Sequence, residues 1–167
     1  VNNLSKNLQF EFIKPLLKDE KLRFYMAEDS QNEMVRMLQN HELDVVVTTH
    51  PVRGELSPQV FNHRLGEIDV YLVGIKKYKN AFKKFPECLS EIPLILPVKG
   101  SHVRSEFDSW CSRIGIQPLI RAEIDDMALM RIFAIEGTGV ALVPEIVVRR
   151  ELDSQQLFSL KKMTGIQ

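Results

Sequence analysis

Two adjacent carboxylates, Asp125 and Asp126, are the side chains of this sequence best suited to contact a hard cation. Hard cations prefer oxygen ligands, and carboxylates supply them. The pair also stands directly before an apolar helical pattern that begins at Met127, where Asp is an ordinary helix-capping residue. Two carboxylates alone fall short of the oxygen count that such ions take. We therefore expect Asp125 or Asp126 to cap a helix, with cation contact as the lesser alternative.

His102 is the histidine whose position suggests a function. Its side chain can titrate near physiological pH and mediate a pH response, although a loop histidine without such a role is commoner. The other histidines have no metal-ligand spacing with one another or with either cysteine: His41, His50 and His63.

The motifs of common enzyme classes do not occur in the sequence. It has no G-x-S-x-G, H-E-x-x-H, Walker or G-x-G-x-x-G pattern, and Gly137-Thr138-Gly139 lacks a third glycine and precedes a predicted strand. Cys88 and Cys111 are far apart, so neither a disulfide framework nor a zinc site is indicated. Cys111 falls on an apolar helical stripe, where we expect it to be a core residue. We expect no enzymatic activity and no cofactor.

The charge balance argues against a free-standing nucleic-acid-binding domain. The 22 basic side chains match 22 acidic ones, whereas such domains usually have a basic excess. The densest basic stretch, Lys76–Lys84, interleaves Tyr78 and Phe82 with five lysines. Nucleic-acid contact is one interpretation. We favour a solvated loop, with the two aromatic rings tucked in, that could link two lobes.

Helical and strand patterns alternate along the chain, which is typical of α/β proteins. In the first part we expect a helix from Lys6 to Leu17, a strand from Leu22 to Ala27 and a helix that Ser30 begins. The run Leu43–Val47 predicts a strand buried on both faces of a parallel sheet. This rhythm predicts a doubly wound sheet.

The second part repeats the rhythm. Ser101 should begin a helix that Gly115 ends, and Pro144 should begin the last one. A further helix should carry Met127 and Met130 and end at Gly137. The predicted strands are Asp69–Ile75, Leu94–Leu96, Leu119–Ile124 and Val140–Val143.

Targeting and membrane patterns are also missing. No apolar run reaches the roughly 18 residues of a membrane span, and the sequence begins at Val1 without a signal-peptide pattern. A doubly wound lobe would have a strand before the first helix. We therefore expect the chain to be a piece of a longer protein.

Three ordered segments resemble the effector-binding domain of LysR-type transcriptional regulators. The stretch Leu38–Val47 is similar to the family's leucine, short loop, Glu-Leu-Asp and strand, and residues 115–126 are similar to its Gly, Pro, strand and acidic cap. Gly137–Pro144 is the most specific match. Within the family, Ile116–Pro118 and Asp125–Met130 are most similar to a sodium- and pH-responsive activator.

The resemblance implies two Rossmann-like lobes of the type II periplasmic-binding-protein kind, joined by hinge strands. We expect residues 1–72 to form the first lobe and residues 73–167 the second. The family's DNA-binding helix-turn-helix has no counterpart in this chain, and its last strand and helix would follow residue 167. The implied protein is a cytoplasmic, dimeric or tetrameric regulator that contacts DNA only through that missing domain, and no membrane.

The resemblance also implies an effector cleft between the lobes, where open α/β sheets generally bind ligands. Several short polar side chains follow predicted strands or precede predicted helices, although capping and turn formation explain each of them equally well. Asn2 is a further, weaker candidate. The predicted cleft residues are Asn3, Ser5, Thr48, Thr49, Ser101, His102 and Asp125.

The first predicted helix has two apolar stripes, which is more than one sheet can cover. The resemblance implies that the surplus belongs to an antiparallel homodimer in which the first lobe contacts the second lobe of the partner. The predicted interface residues are Leu8, Phe12, Leu16 and Trp110.

Two rival functions remain open at this point. A solute-binding protein of a transporter shares the two-lobed architecture and would be a monomer with tight solute affinity. A small α/β enzyme would turn over its ligand.

Overall fold

The structure, a computed structural model, describes residues 4–49, 51–53 and 60–166. The chain divides into two compact units, residues 1–66 and 67–167. The predicted lobe boundary between residues 72 and 73 falls inside a strand of the second unit, Val70–Gly74. The assignment of the two units as effector-domain lobes stays a prediction.

Two short helices form the regular structure of the first unit. Helix α1 spans Lys6–Ile13 and helix α2 spans Gln31–Gln39. Ser30 caps α2 by accepting a hydrogen bond from the amide of Glu33, as the capping-box pattern predicts. The predicted first helix is too long, because Pro15 has no amide N–H to continue it, and the chain goes on as the 3-10 helix Leu16–Lys18.

The prediction of two strands in the first unit is wrong. Neither Leu22–Ala27 nor Leu43–Val47 forms a strand among the described residues. Val45, expected to be buried on both faces of a sheet, is 73% exposed. An extended segment becomes a strand only when a neighbour pairs with its backbone, and β-branched composition alone does not provide that neighbour.

The second unit is a five-stranded mixed sheet with helices on both faces. The strands span Val70–Gly74 (β1), Leu94–Pro97 (β2), Ile120–Ile124 (β3), Val140–Pro144 (β4) and Phe158–Lys162 (β5). The strand order is β3-β2-β4-β1-β5. Strands β2, β3 and β4 are parallel, whereas β1 is antiparallel to both of its neighbours, β4 and β5. The α-helices span His102–Ile114 (α3), Met127–Ile135 (α4) and Glu145–Asp153 (α5).

Strand alternation distributes the core between the two faces of this sheet. Leu94 and Leu96 of β2 pack with Phe107 of α3 in one apolar cluster. Ile95, between them, packs in a second cluster with Met130 of α4 and Val148 of α5. The doubly wound arrangement predicted from the sequence is therefore confirmed in this unit.

Most predicted elements of the second unit are confirmed to within a few residues, but two features differ. Strand β5 was not predicted, because Phe158–Lys162 has neither a buried apolar run nor turn signals that mark it. The expected linker Lys76–Lys84 instead folds within this unit as the 3-10 helices Lys76–Tyr78 and Ala81–Lys84. None of the helices in the described ranges is long and apolar enough to span a membrane.

Candidate functional site

One edge of the second unit's sheet gathers the starts of three helices. Because β2, β3 and β4 are parallel, their carboxyl ends lie at the same edge. Helices α3, α4 and α5 begin within a few residues of those ends. Helix N-termini present free N–H groups and a positive dipole end, and open α/β sheets bind ligands at such an edge. We call residues 98–102, 125–126 and 145 the carboxyl edge.

Ser101 and His102 stand where β2 passes into α3. Gly100 adopts a φ of 97° in the turn, and the hydroxyl of Ser101 accepts a hydrogen bond of 3.2 Å from the amide of Arg104. The half-exposed ring of His102 lies 3.0 Å from a carboxylate oxygen of Glu106 through Nε2. Ser101 is thus a helix cap at the carboxyl edge, and a protonated His102 would pair with its own helix.

The buried guanidinium of Arg104 connects α3 with β2 and β3 near the carboxyl edge. Its side chain is only 2% exposed. Nε donates to both oxygens of Asp108 at 2.9 Å, and Nη1 donates to the carbonyl of Pro97, the last residue of β2, at 2.9 Å. Nη1 also lies 3.2 Å from Glu123 of β3. Burial alone would lower the pKa of Arg104, but the hydrogen bonds to Asp108 and Glu123 more than offset it and raise that pKa.

The adjacent carboxylates Asp125 and Asp126 have different environments. Asp126 caps α4 by accepting a hydrogen bond of 2.7 Å from the amide of Leu129, so the capping prediction is confirmed for this residue. Asp125 is exposed beside it. Within the described ranges no group of three or more His, Cys, Asp or Glu side chains could hold a metal ion.

An ion pair that sequence reasoning missed also lies near this edge. Lys162 of β5 donates a hydrogen bond to Asp69, which precedes β1, and this bond raises the pKa of Lys162. The carbonyl of Asp69 accepts from the amide of Glu145, the first residue of α5. The pairing of β5 with β1 creates this arrangement, and no sequence signal for β5 was present to reveal it.

The described cleft residues predicted in the first unit lie at the start of α1 and directly after the segment Leu43–Val47. The hydroxyl of Ser5 caps α1 by accepting a hydrogen bond of 3.3 Å from the amide of Leu8. Thr48 is half-buried and Thr49 is exposed, and the segment that they follow is not a strand. Asn3, like Asn2, lies outside the described residues.

The predicted interface residues divide between exposed and packed positions. In the first unit, Phe12 is 39% and Leu16 is 49% exposed, while Leu8 is half-buried. In the second unit, Trp110 lies against the sheet's own core, with ring centroids 5.6 Å from Phe85 and 6.0 Å from Phe107. Trp110 therefore packs within its own unit, whereas Phe12 and Leu16 are only partly covered.

The motif most specific to the resemblance has a structural role in the turn from α4 into β4. Gly137 adopts a φ of 65°, which side chains rarely tolerate. A Cβ on Gly139 would lie 2.7 Å from the carbonyl of Pro93. The hydroxyl of Thr138 donates to the carbonyl of Phe133. Because this turn precedes β4, it lies at the edge of the sheet opposite the carboxyl edge.

Both cysteines are core residues. Cys88 and Cys111 are buried and free, and both belong to the cluster that packs under α3. Burial raises the pKa of the Cys111 thiol to about 11. Neither thiol is therefore activated as a nucleophile, and the prediction that Cys111 is a core residue is confirmed.

Two of the surface depressions in the described regions are a groove along α3 and an open depression in the first unit. The α3 groove has a volume of about 220 Å³, and His102, Arg113 and Gly165 are among the residues that line it. An open depression of about 630 Å³ lies in the first unit, between Pro15 and Leu22. His102 is the predicted site residue that lines the α3 groove.

Comparison with protein families gives a match over most of the chain. The LysR substrate binding domain matches residues 18–161. The Transcriptional activator protein NhaR of Escherichia coli strain K12 is 25% identical over 131 residues, which are 78% of this chain and 43% of that protein. The chain thus spans less than half the length of this curated relative.

Solved structures with the same fold include two regulatory domains. The cofactor-binding domain of the Cbl transcriptional regulator has a TM-score of 0.72 at 21% identity, over 93% of this chain and 68% of that one. The apo form of the regulatory domain of HypT from Salmonella typhimurium has a TM-score of 0.67 at 19% identity, over 94% and 75%. The fold is therefore the type II periplasmic-binding-protein-like fold of this family, as the resemblance implied.

Proposed function

Because the chain belongs to the family of LysR substrate-binding domains, we propose that it binds a small effector and regulates transcription through a DNA-binding domain elsewhere on a longer polypeptide. The observation that carries the proposal is the convergence of three helix N-termini at the carboxyl edge. The family is one of regulator domains rather than enzymes. A cytoplasmic location is part of this proposal, and sequence-specific recognition of DNA is proposed for the domain outside this chain.

The proposed effector contacts of the second unit are Ser101, His102 and Asp125 at the carboxyl edge. Ser5, Thr48 and Thr49 of the first unit, together with Asn3, are a separate set of proposed contacts. We propose a small organic anion as the effector, because the positive dipole ends of the three helices favour negative charge.

A sodium- or pH-responsive role is the second candidate, and the similarity to NhaR favours it. Asp125 and Asp126 would be the cation ligands. One oxygen of Asp126 already accepts the hydrogen bond that caps α4. The two carboxylates therefore offer few remaining oxygens, whereas hard cations such as calcium and magnesium take about six or more. We therefore rank the organic anion above the cation.

We propose that the regulator is a homodimer or homotetramer, in which α1 of one copy packs against the second unit of its partner. The apolar side chains of the first unit support this assembly, because Phe10 and Leu17 are about half exposed, as are Phe12 and Leu16. Exposed apolar patches of this kind commonly mark protein interfaces. If the chain were instead a monomer with tight affinity for one solute, a solute-binding protein of a transporter would be the favoured function.

Thermal unfolding of this chain tests the proposal. The midpoint would be measured with a panel of small carboxylates, and with sodium, lithium and potassium chloride at fixed ionic strength from pH 7 to 9. A ligand at 100 times its Kd stabilises the folded state by about 2.7 kcal/mol, which raises the midpoint by about 2–4 °C per kcal/mol in a chain of this size. Stabilisation by a carboxylate supports the organic anion, and stabilisation selective for sodium or lithium supports the cation. A flat response to every compound would contradict effector binding of either class.

The variants Asp125→Asn and Asp126→Asn separate the two effector classes. Asn caps a helix about as well as Asp, so the fold should persist in both. A carboxylate effect should survive these changes, because Asn keeps a polar side chain and removes a negative charge that repels the anion. A sodium effect should disappear.

A further inference from the structure

The segment between β1 and β2 is a compact basic surface rather than a solvated linker. The ring of Tyr78, in the 3-10 helix Lys76–Tyr78, is buried, and its hydroxyl donates to the carbonyl of Gly137 at 2.9 Å. Phe82 stacks on Phe85 with centroids 6.0 Å apart. The rings of the segment point into the unit, and its lysines remain exposed: Lys76, Lys77, Lys79, Lys83 and Lys84.

A lysine of β5 extends this surface. Lys161 lies 5.0 Å from the ring centroid of Phe85, and Lys79 lies 3.7 Å from that of Phe158, the first residue of β5. Lys77 is partly engaged, because it donates to the carbonyl of Gly137 at 2.7 Å. We call the remaining five the lysine surface: Lys76, Lys79, Lys83, Lys84 and Lys161.

The charge of the lysine surface is not neutralised by the chain itself. The sequence has no Asp or Glu from Val70 to Pro86. None of the five lysines forms an ion pair with a carboxylate in the parts of the chain that the structure describes, whereas Lys6, Lys162 and Arg131 do. The balanced net charge of the whole chain therefore conceals a local positive surface that can bind an anionic partner.

The position of the lysine surface separates it from the proposed effector site. The 3-10 helix Lys76–Tyr78 follows the carboxyl end of β1, and β1 is antiparallel to β4. This helix therefore lies at the edge where β4 begins, opposite the carboxyl edge. A partner of the lysine surface can bind without occupying the effector site.

We propose that the lysine surface contacts the phosphate backbone of duplex DNA without reading its sequence. This inference rests on the proposed function, in which the DNA-binding domain of the longer polypeptide keeps DNA within reach and so raises its effective concentration. Lysines act as flexible point charges, which suits backbone contact rather than base recognition. Single-stranded nucleic acid fits less well, because the rings that would stack on its bases are packed inside the unit.

Fluorescence anisotropy of this chain with a labelled 20-base-pair duplex of arbitrary sequence tests the inference. Binding should weaken as salt rises, because each phosphate contact contributes about 0.9 to the negative slope of log K against log salt. The triple variant Lys76→Glu, Lys83→Glu, Lys84→Glu should bind at least about tenfold more weakly and flatten that slope by about 1 per lysine. A single strand of the same sequence and vesicles containing phosphatidylserine serve as the other anionic probes.

The matched control is Lys14→Glu, Lys18→Glu, Lys21→Glu, which changes the net charge equally at exposed positions of the first unit. It should lose less than about threefold in affinity. Equal losses in the two triple variants, no duplex binding at low salt, or tighter binding to the single strand or the vesicles would overturn the inference. The effector assay stands apart from this one, so lysine-dependent duplex binding without any effector response would remove the proposed function and leave the surface as a DNA contact.

Discussion

Arg104 is the single side chain that connects the most elements at the carboxyl edge. It joins α3 to the end of β2 through Pro97 and to β3 through Glu123. Replacement by Met leaves a backbone carbonyl and two carboxylates without their donor, which should lower the free energy of unfolding by about 1–3 kcal/mol. The low end applies if water reaches Asp108 and Glu123, whose side chains are 43% and 37% exposed. Urea unfolding of Arg104→Met measures the change.

Arg113→Met on the same helix is the control for Arg104. Arg113 is exposed, so its replacement should change the unfolding free energy by less than about 0.5 kcal/mol. Arg104→Lys should be intermediate, because it keeps the charge but loses the guanidinium fork. Equal stability of the two Met variants would refute the connecting role of Arg104.

The buried thiol of Cys111 should make the fold less stable as the pH becomes alkaline. Burial raises its pKa to about 11 from 9.0, so the folded state favours the neutral thiol. This contribution is fully present below about pH 9 and is lost as the pH rises through about 11. Urea midpoints measured from pH 8 to 11 should therefore fall more steeply for the native sequence than for Cys111→Ala. Parallel pH profiles for the two proteins would contradict this environment for the thiol.

At the scale of elements, the turn from α4 into β4 and the end of α3 each depend on a glycine, for two separate reasons. A side chain on Gly139 meets the carbonyl of Pro93 at 2.7 Å, while Gly115 has a φ of 70° with open space around it. Gly139→Ala should cost about 1–3 kcal/mol through overpacking, and Gly115→Ala about 1–2 kcal/mol through its backbone conformation.

Gly66→Ala is the matched control for these glycines, because nothing lies within 4 Å of an added Cβ and its φ is ordinary. Thermal unfolding of the three variants ranks them. A neutral Gly139→Ala would show that β4 can shift away from Pro93.

Elements with local signals were predictable from the sequence, and elements that depend on distant partners were not. Ser101 and Gly115 mark the two ends of α3 with a cap and a left-handed turn, both of which are local chemistry. Strand β5 exists through its pairing with β1. The run Leu43–Val47 has strand composition but no paired neighbour among the described residues, so composition was misleading there.

The same distinction explains which residues of the candidate site could be predicted from the sequence. Ser101 and Asp126 could be predicted, because a polar residue between a strand and a helix in a parallel α/β unit lies at the carboxyl edge. Asp69 and Lys162 could not, because they are brought together by a strand pair distant in sequence. Arg104 falls among polar helix residues, and its burial depends on β2 and β3 folding around it.

At the scale of the whole molecule, the exposed apolar side chains of α1 and of the 3-10 helix Leu16–Lys18 predict self-association. We expect a dimer of twice the 19.3 kDa chain mass at tens of micromolar in sedimentation velocity. Phe12→Glu combined with Leu16→Glu should weaken it by about tenfold or more, since charges replace apolar interface contacts. Both residues are exposed, so the variant should remain folded.

Val45→Glu is the control for the dimer variant, because Val45 is exposed on the same unit but lies outside α1. It should leave the dimer intact. A native chain that sediments as a monomer over this concentration range would contradict the proposed assembly.

Amide chemical-shift mapping by NMR shows most directly whether an effector binds at the carboxyl edge. The probe is the compound from the carboxylate and salt panel that most raises the unfolding midpoint. The largest shifts should fall on residues 98–102, 125–126 and 145. Shifts confined to the part of the α3 groove that Arg113 and Gly165 line, or to the lysine surface, would contradict binding at this edge.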